Sequence, residues 1–118
     1  MKLFVYGTLK KGFCNHHVLG NAKFIGAYTT QPTYTMYDMG AFPAIRLDGK
    51  TSIVGEVYEI NDLELVDSLE GYPVLYDRTE IETDFGVAWV YYFNIRTGQY
   101  YYRPRFQKEM NTGLWSKR

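Results

Sequence analysis

The stretch "DSLEGYPVLYDR" ends a short apolar segment on a carboxylate, Glu70, and follows it at once with Gly71 and Pro73. An ionised carboxylate in an apolar setting is costly, so it must be paired, neutralised or used. Turning about 100° per residue from Leu63 puts Val66, Leu69 and Leu65 at about 300°, 240° and 200°, one apolar face. Glu64, Asp67 and Ser68 take the wet face, and Glu70 falls at about 340°, between Leu63 and Val66. Two readings stay open on periodicity alone. In one, the last turn frays and Glu70 swings to solvent or pairs with Arg78. In the other, Glu70 is a general acid and base whose pKa desolvation raises toward neutrality. A dyad of Glu70 with Asp67, one turn earlier, is disfavoured because Asp67 lies at the edge of the wet face.

A second candidate is the loop "YGTLKKG". A glycine after a strand, then a threonine and a run of free backbone amides, suits an anion, because successive N–H groups can converge on one oxygen or carboxylate. The spacing of Gly7 and Gly12 imitates the start of a phosphate-binding P-loop. The imitation fails at Phe13 and Cys14, which stand where Lys and Ser or Thr are needed, so nucleotide binding is not expected. A bare turn is the alternative to ligand binding. Cys14, His16 and His17 suggest a metal site or a thiol–imidazole pair. Adjacent histidines cannot easily share one ion, no second cluster exists, and no acid is near to orient a histidine.

The elements that must position these groups are mostly strands. "KLFVY" is a short run of strand formers ended by Gly7, and "NHHVLG" allows one helical turn with Asn15 as cap and Gly20 as stop. "KFIGAYTT", "TYTMYDM", "AFPAIRL" and "TSIVGEVYEI" have strand character, separated or interrupted by prolines and glycines. "NDLELVDSLEG" predicts a helix with Asn61 at the cap, Glu64 at the third position and Gly71 as the left-handed residue that closes it. "YDRTEIET" and "GVAWVYYFNI" read as a hairpin joined by "DFG", the second strand apolar on both faces. From Gly98 onward the sequence shows no clear period. The sum is an α+β domain of about seven strands with one or two short helices, its sheet curled or closed into a small barrel.

The chain has 118 residues, the size of one domain with a self-sufficient core. Thirteen Lys and Arg balance thirteen Asp and Glu, so no net charge argues for nucleic acid or an anionic membrane. Cys14 is the only cysteine, which excludes an intramolecular disulfide. The first apolar run is too short for a signal peptide and no segment is long enough to span a bilayer, so a cytoplasmic location is expected. Twelve tyrosines supply hydroxyls where an apolar wall must hold a polar ligand.

Taken together, "FVYGTLKKGFCNHHVLG", "GEVYEI" and "VDSLEGYPVLYDR" resemble the γ-glutamylcyclotransferase family, most closely its γ-glutamylamine cyclotransferase branch. The resemblance covers residues 3–78 in three blocks; beyond about residue 96 nothing matches. It implies a small barrel with flanking helices and a pocket at one end; one domain over 1–118 is expected, with a C-terminal extension, 98–118, packing on or near that pocket. The family's catalytic glutamate falls on Glu70 and its substrate-holding loop on Tyr6, Gly7, Thr8 and Leu9, with Tyr76 and Arg78 closing the wall. The implied reaction releases an amine from a γ-glutamyl amide by ring closure to 5-oxoproline. The substrate's own α-amino nitrogen is the nucleophile, so neither metal nor organic cofactor is expected. A small γ-glutamyl molecule is the expected partner, and the chain itself is expected to be a monomer or weak homodimer. The competing reading keeps the same pocket for sequestering a small metabolite without turnover.

Overall fold

β1 (Lys2–Val5) is buried on both faces, and the rest of the chain is arranged around it. The computed structural model describes residues 1–98 and 108–118. β1 is followed by a 3-10 turn (His16–Leu19), β2 (Lys23–Thr29), β3 (Tyr34–Asp38), β4 (Pro43–Thr51) and β5 (Val54–Glu59). Then come α1 (Glu64–Glu70), β6 (Tyr76–Thr83), β7 (Gly86–Phe93), the single turn α2 (Ile95–Gly98) and β8 (Lys108–Glu109).

The strands form two sheets, not one closed barrel. The larger has the order β2-β5-β1-β7-β6 and the smaller β4-β3-β8. β1 runs antiparallel to β5, with Val5 opposite Glu56, and parallel to β7, with Leu3 opposite Trp89. Because side chains alternate along a strand, β1 serves two cores. Leu3 and Val5 join Leu63, Val66, Tyr76, Tyr91 and Phe93 under α1. Phe4, with Tyr6 just beyond the strand, joins Met36, Ile45, Ile53, Val57, Val90 and Trp115 on the opposite face. The barrel expectation overstated closure; the α+β class stands.

Three local expectations are modified. α1 begins at Glu64, and its first amide donates to Asp62 Oδ1 at 3.0 Å, so Asp62 rather than Asn61 supplies the capping side chain. The buried stripe of α1 is narrower than the helical wheel suggested: Leu65 is 68% and Leu69 40% exposed, while Val66 is 1% exposed. Asn15 makes no side-chain cap; its Nδ2 donates to Thr8 Oγ1 at 3.0 Å instead.

The part of the C-terminal extension that is described is woven into the core. β8 pairs with β3, Val54 N donates to Gly113 O, and Trp115 is buried. Lys10 Nζ, buried just after the pocket loop, donates to Trp115 O at 2.7 Å. Residues 99–107 lie outside the described residues, and with them that part of the expectation that 98–118 packs on or near the pocket. Among the described residues no helix is long and apolar enough to cross a membrane.

Candidate active site

The chain turn after α1 determines where Glu70 points. Gly71 takes the left-handed conformation, φ 65° and ψ 36°, and closes the helix with a Schellman pair of bonds. Tyr72 N donates to Asp67 O at 3.0 Å and Gly71 N to Ser68 O at 3.3 Å. A left-handed residue is cheap only for glycine, so the helix ends at Glu70 with the geometry fixed.

Glu70 lines a small cavity, about 30 Å³, together with Tyr6, Gly7, Thr8, Leu9, Phe42, Pro43, Tyr76 and Tyr91. Five of the six expected binding residues and the expected catalytic glutamate therefore surround one space. Arg78 does not. Its Nε donates to Asp67 Oδ1 at 2.9 Å and its Nη2 to Asp67 Oδ2 at 3.2 Å, so its counter-ion is Asp67 rather than Glu70. The guanidinium is also held between aromatic faces, 4.4 Å from the Tyr72 ring centre and 4.7 Å from that of Trp89.

The Glu70 carboxylate makes no hydrogen bond or ion pair among the described residues. The residue as a whole is half-buried, its backbone being at a helix end, yet the surroundings of the carboxyl are dense. Burial pushes its pKa up from 4.5 to about 7. The phenols around it have their protons committed elsewhere. Tyr6 donates to Tyr91 O at 2.8 Å, Tyr91 to Asp67 Oδ1 at 2.6 Å and Tyr76 to Pro43 O at 2.7 Å. Burial, and after it the charge of Glu70, hold the Tyr6 phenol well above its usual range. Burial and then the bond to Asp67 do the same for Tyr91. Glu70 is left as the group in this wall that exchanges a proton near neutral pH.

The loop opposite is braced from outside. Asn15 N donates to Thr8 O, Lys10 N to Gly7 O, and Lys11 N to Glu56 Oε1. His16 turns Nδ1 to Leu9 O at 2.9 Å. The amides of Thr8 and Leu9 have no hydrogen-bond partner among the described residues. Two donors without a protein partner in a loop that lines a cavity suit an anion or a carbonyl oxygen.

Two wider grooves lack this chemistry. One, about 530 Å³, is lined by Arg46, Asp48, Asp77, Tyr92 and Arg96 among others. Its acids are already satisfied: Asp77 accepts from Arg78 N and Tyr92 OH, and Asp48 pairs with Arg46. The other, about 190 Å³, lies between the 3-10 turn and α1. Cys14 and His17 are exposed, and among the described residues no group of three His, Cys, Asp or Glu side chains is arranged to hold a metal.

A family model described as "Gamma-glutamyl cyclotransferase, AIG2-like" matches residues 3–117. The chain belongs to this family. A Vibrio cholerae protein provisionally named a γ-glutamylcyclotransferase is 39% identical over 118 residues, covering 98% of this chain and 96% of its own. The solution structure of the Escherichia coli protein YtfP superposes with a TM-score of 0.67 at 31% identity, over 98% of this chain and 96% of that one. An AIG2-like protein from Mus musculus superposes with a TM-score of 0.69 at 29% identity, covering 89% and 80%.

The cyclotransferase match extends well past residue 96, where the sequence motifs gave out, in keeping with the packing of Trp115 into the core. Sequence reasoning missed Tyr91, Phe42 and Pro43 in the cavity wall. The signal for Tyr91 was present but weak: in "VYYF" strand alternation sends Tyr91 and Tyr92 to opposite faces, and only topology decides which face meets α1.

Proposed function

We propose that the protein releases an amine from a γ-glutamyl amide with formation of 5-oxoproline, Glu70 carrying the proton. The observation that carries this reading is that Glu70, its pKa pushed up by burial, lines one cavity with Thr8 and Leu9, whose amides have no partner among the described residues. In its ionised form Glu70 takes a proton from the substrate's α-ammonium. The freed amino nitrogen attacks the γ-carbonyl carbon, forming the ring C–N bond and a tetrahedral oxyanion. Protonated Glu70 then gives its proton to the leaving nitrogen as the original amide C–N bond breaks. The ring nitrogen carries two protons after the attack and releases one of them to the departing amine, so the products are 5-oxoproline and an ammonium ion, and the glutamate is ionised again.

The backbone amides supply the complementary half, holding either the α-carboxylate or the developing oxyanion without the reorganisation that water would need. The cavity is narrower than a γ-glutamyl group, so binding requires the wall to give. Phe42, in the β3–β4 loop, is the least buried aromatic of that wall.

The test is a screen of γ-glutamyl amino acids and γ-glutamyl amines for release of 5-oxoproline, with product quantified by chromatography. Turnover of any member that disappears in Glu70→Gln supports the reading. Binding of 5-oxoproline with no turnover across the whole screen sinks it in favour of sequestration.

A further inference from the structure

We infer that Asp67 and Arg78 are positioning residues, a charge-neutral clamp that fixes the helix end carrying Glu70 and keeps the Asp67 carboxylate compensated beside it. The inference rests on the reading of Glu70 as proton carrier, but its geometry is separate. Asp67 and Glu70 lie three residues apart on α1, a spacing that makes their side chains neighbours. Neither Asp67 nor Arg78 lines the cavity.

Asp67 ties α1 to two strands at once. It accepts two bonds from Arg78 on β6 and one from Tyr91 on β7. Arg78 in turn carries Tyr72, immediately beyond the helix, on one face and Trp89 of β7 on the other. Tyr91 passes the constraint inward, since its carbonyl holds the Tyr6 hydroxyl and its ring lines the cavity. The helix end, the segment after it and two cavity walls are thus joined through a single ion pair. That pair is mostly shielded, with 21% and 23% of the two side chains exposed, so it is more than a surface contact.

Charge gives the clamp a second consequence. Among the described residues, the titratable groups lining the cavity with Glu70 are Tyr6 from the loop after β1, Tyr76 from β6 and Tyr91 from β7, and Asp67 lies one turn away on its own helix. The 3-10 turn packed against α1 contributes His16, which is turned to Leu9 O, and exposed His17. The three phenols are neutral donors. Asp67 and Arg78 carry opposite formal charges and form one ion pair beside the helix end. Burial is the resolved cause of the Glu70 shift. Removing Arg78 leaves the Asp67 carboxylate uncompensated one helical turn from Glu70, removing Asp67 leaves the Arg78 guanidinium without its partner, and the two removals leave opposite signs.

The experiment measures the Glu70 pKa directly by carboxyl-carbon NMR titration, with the resonance assigned from its loss in Glu70→Gln. No turnover is needed, so the result stands apart from the substrate screen. Asp67→Asn, which leaves the Arg78 cation, is expected to lower the Glu70 pKa by about half a unit or more. Arg78→Gln, which leaves the Asp67 anion, is expected to raise it by a similar amount. The double variant should return to the wild-type value. Shifts of the same sign in both single variants, or no shift in either, overturn the inference and reduce the pair to a structural ion pair. If one single variant does not fold, the sign of the shift in the other still decides. If the substrate screen succeeds, the same variants should move the acidic limb of the kcat/KM profile in the same two directions.

Discussion

Gly7 lies so close to Pro43 that a Cβ on it would stand 2.7 Å from Pro43 Cγ and 2.8 Å from Cδ. Both residues line the cavity, and Pro43 O holds the Tyr76 hydroxyl. Glycine is needed here for a protein neighbour, not only for the approach of a ligand to the backbone. Gly7→Ala must displace Pro43 and, with it, the Tyr76 bond. We expect a loss of about 1–3 kcal/mol in urea unfolding, the range for an overpacked site. Calorimetric binding of 5-oxoproline should weaken at least tenfold in the folded fraction. An unchanged unfolding midpoint would show that the Gly7–Pro43 contact yields without cost.

α1 is anchored by a narrow stripe, so its aliphatic residues should differ sharply. Val66→Ala removes buried methyl groups and is expected to cost about 1–3 kcal/mol. Leu65→Ala, at an exposed position, should stay within about 0.5 kcal/mol of wild type. Equal costs at the two positions, measured by denaturant unfolding, would restore the broad apolar face that the helical wheel implied.

Why the wheel placed Glu70 well and Leu65 and Leu69 badly has a physical reason. Leu63, Val66 and Glu70 share a stripe three and four residues apart, and a seven-residue helix touching the fold along one edge buries little else. The closing glycine, the strand runs and the loop after β1 were local signals, and they were legible. The Arg78–Asp67 pair joins residues from a strand and a helix, and Tyr91 meets Asp67 across 24 positions of sequence. No local pattern chooses Asp67 over Glu70 as the partner of Arg78. The division into two sheets was hidden for the same cause, since strand order depends on pairings between distant segments such as β1 with β7.

The metal and thiol alternatives lead to an independent expectation. Ring closure by the substrate's own amine has no step that requires a thiolate or a Lewis acid. His16 is engaged with Leu9 O and lies tilted against Tyr58, its ring centre 5.7 Å away, while Cys14 is exposed. Cys14→Ser is expected to retain most of the rate of 5-oxoproline release, and exhaustive chelation to leave it unchanged. Loss of activity on chelation, restored by one added metal, would transfer the chemistry away from Glu70.

Glu70 should be a burden on stability where it is most useful for catalysis. Its folded pKa of about 7 stands above the 4.5 of the free side chain. Below the lower value both folded and unfolded chains carry the proton, and the group has no effect. As pH rises toward 7 the unfolded chain releases the proton first, so stability falls; above 7 the full penalty is present, about 3 kcal/mol. Glu70→Gln removes the ionisation while keeping the shape. Its stability relative to wild type, compared between about pH 8.5 and about pH 4, should therefore improve by up to about 3 kcal/mol at the higher pH. The same substitution should reduce turnover by about 10²–10⁴, since an amide cannot pass the proton. In wild type, kcat/KM should rise with pH as Glu70 ionises near 7. Paired thermal melts and rate profiles across this range check both halves. A Glu70→Gln protein with no pH-dependent gain in stability would mean that the carboxylate is solvated in the folded state, and the cavity would then lose its proton carrier.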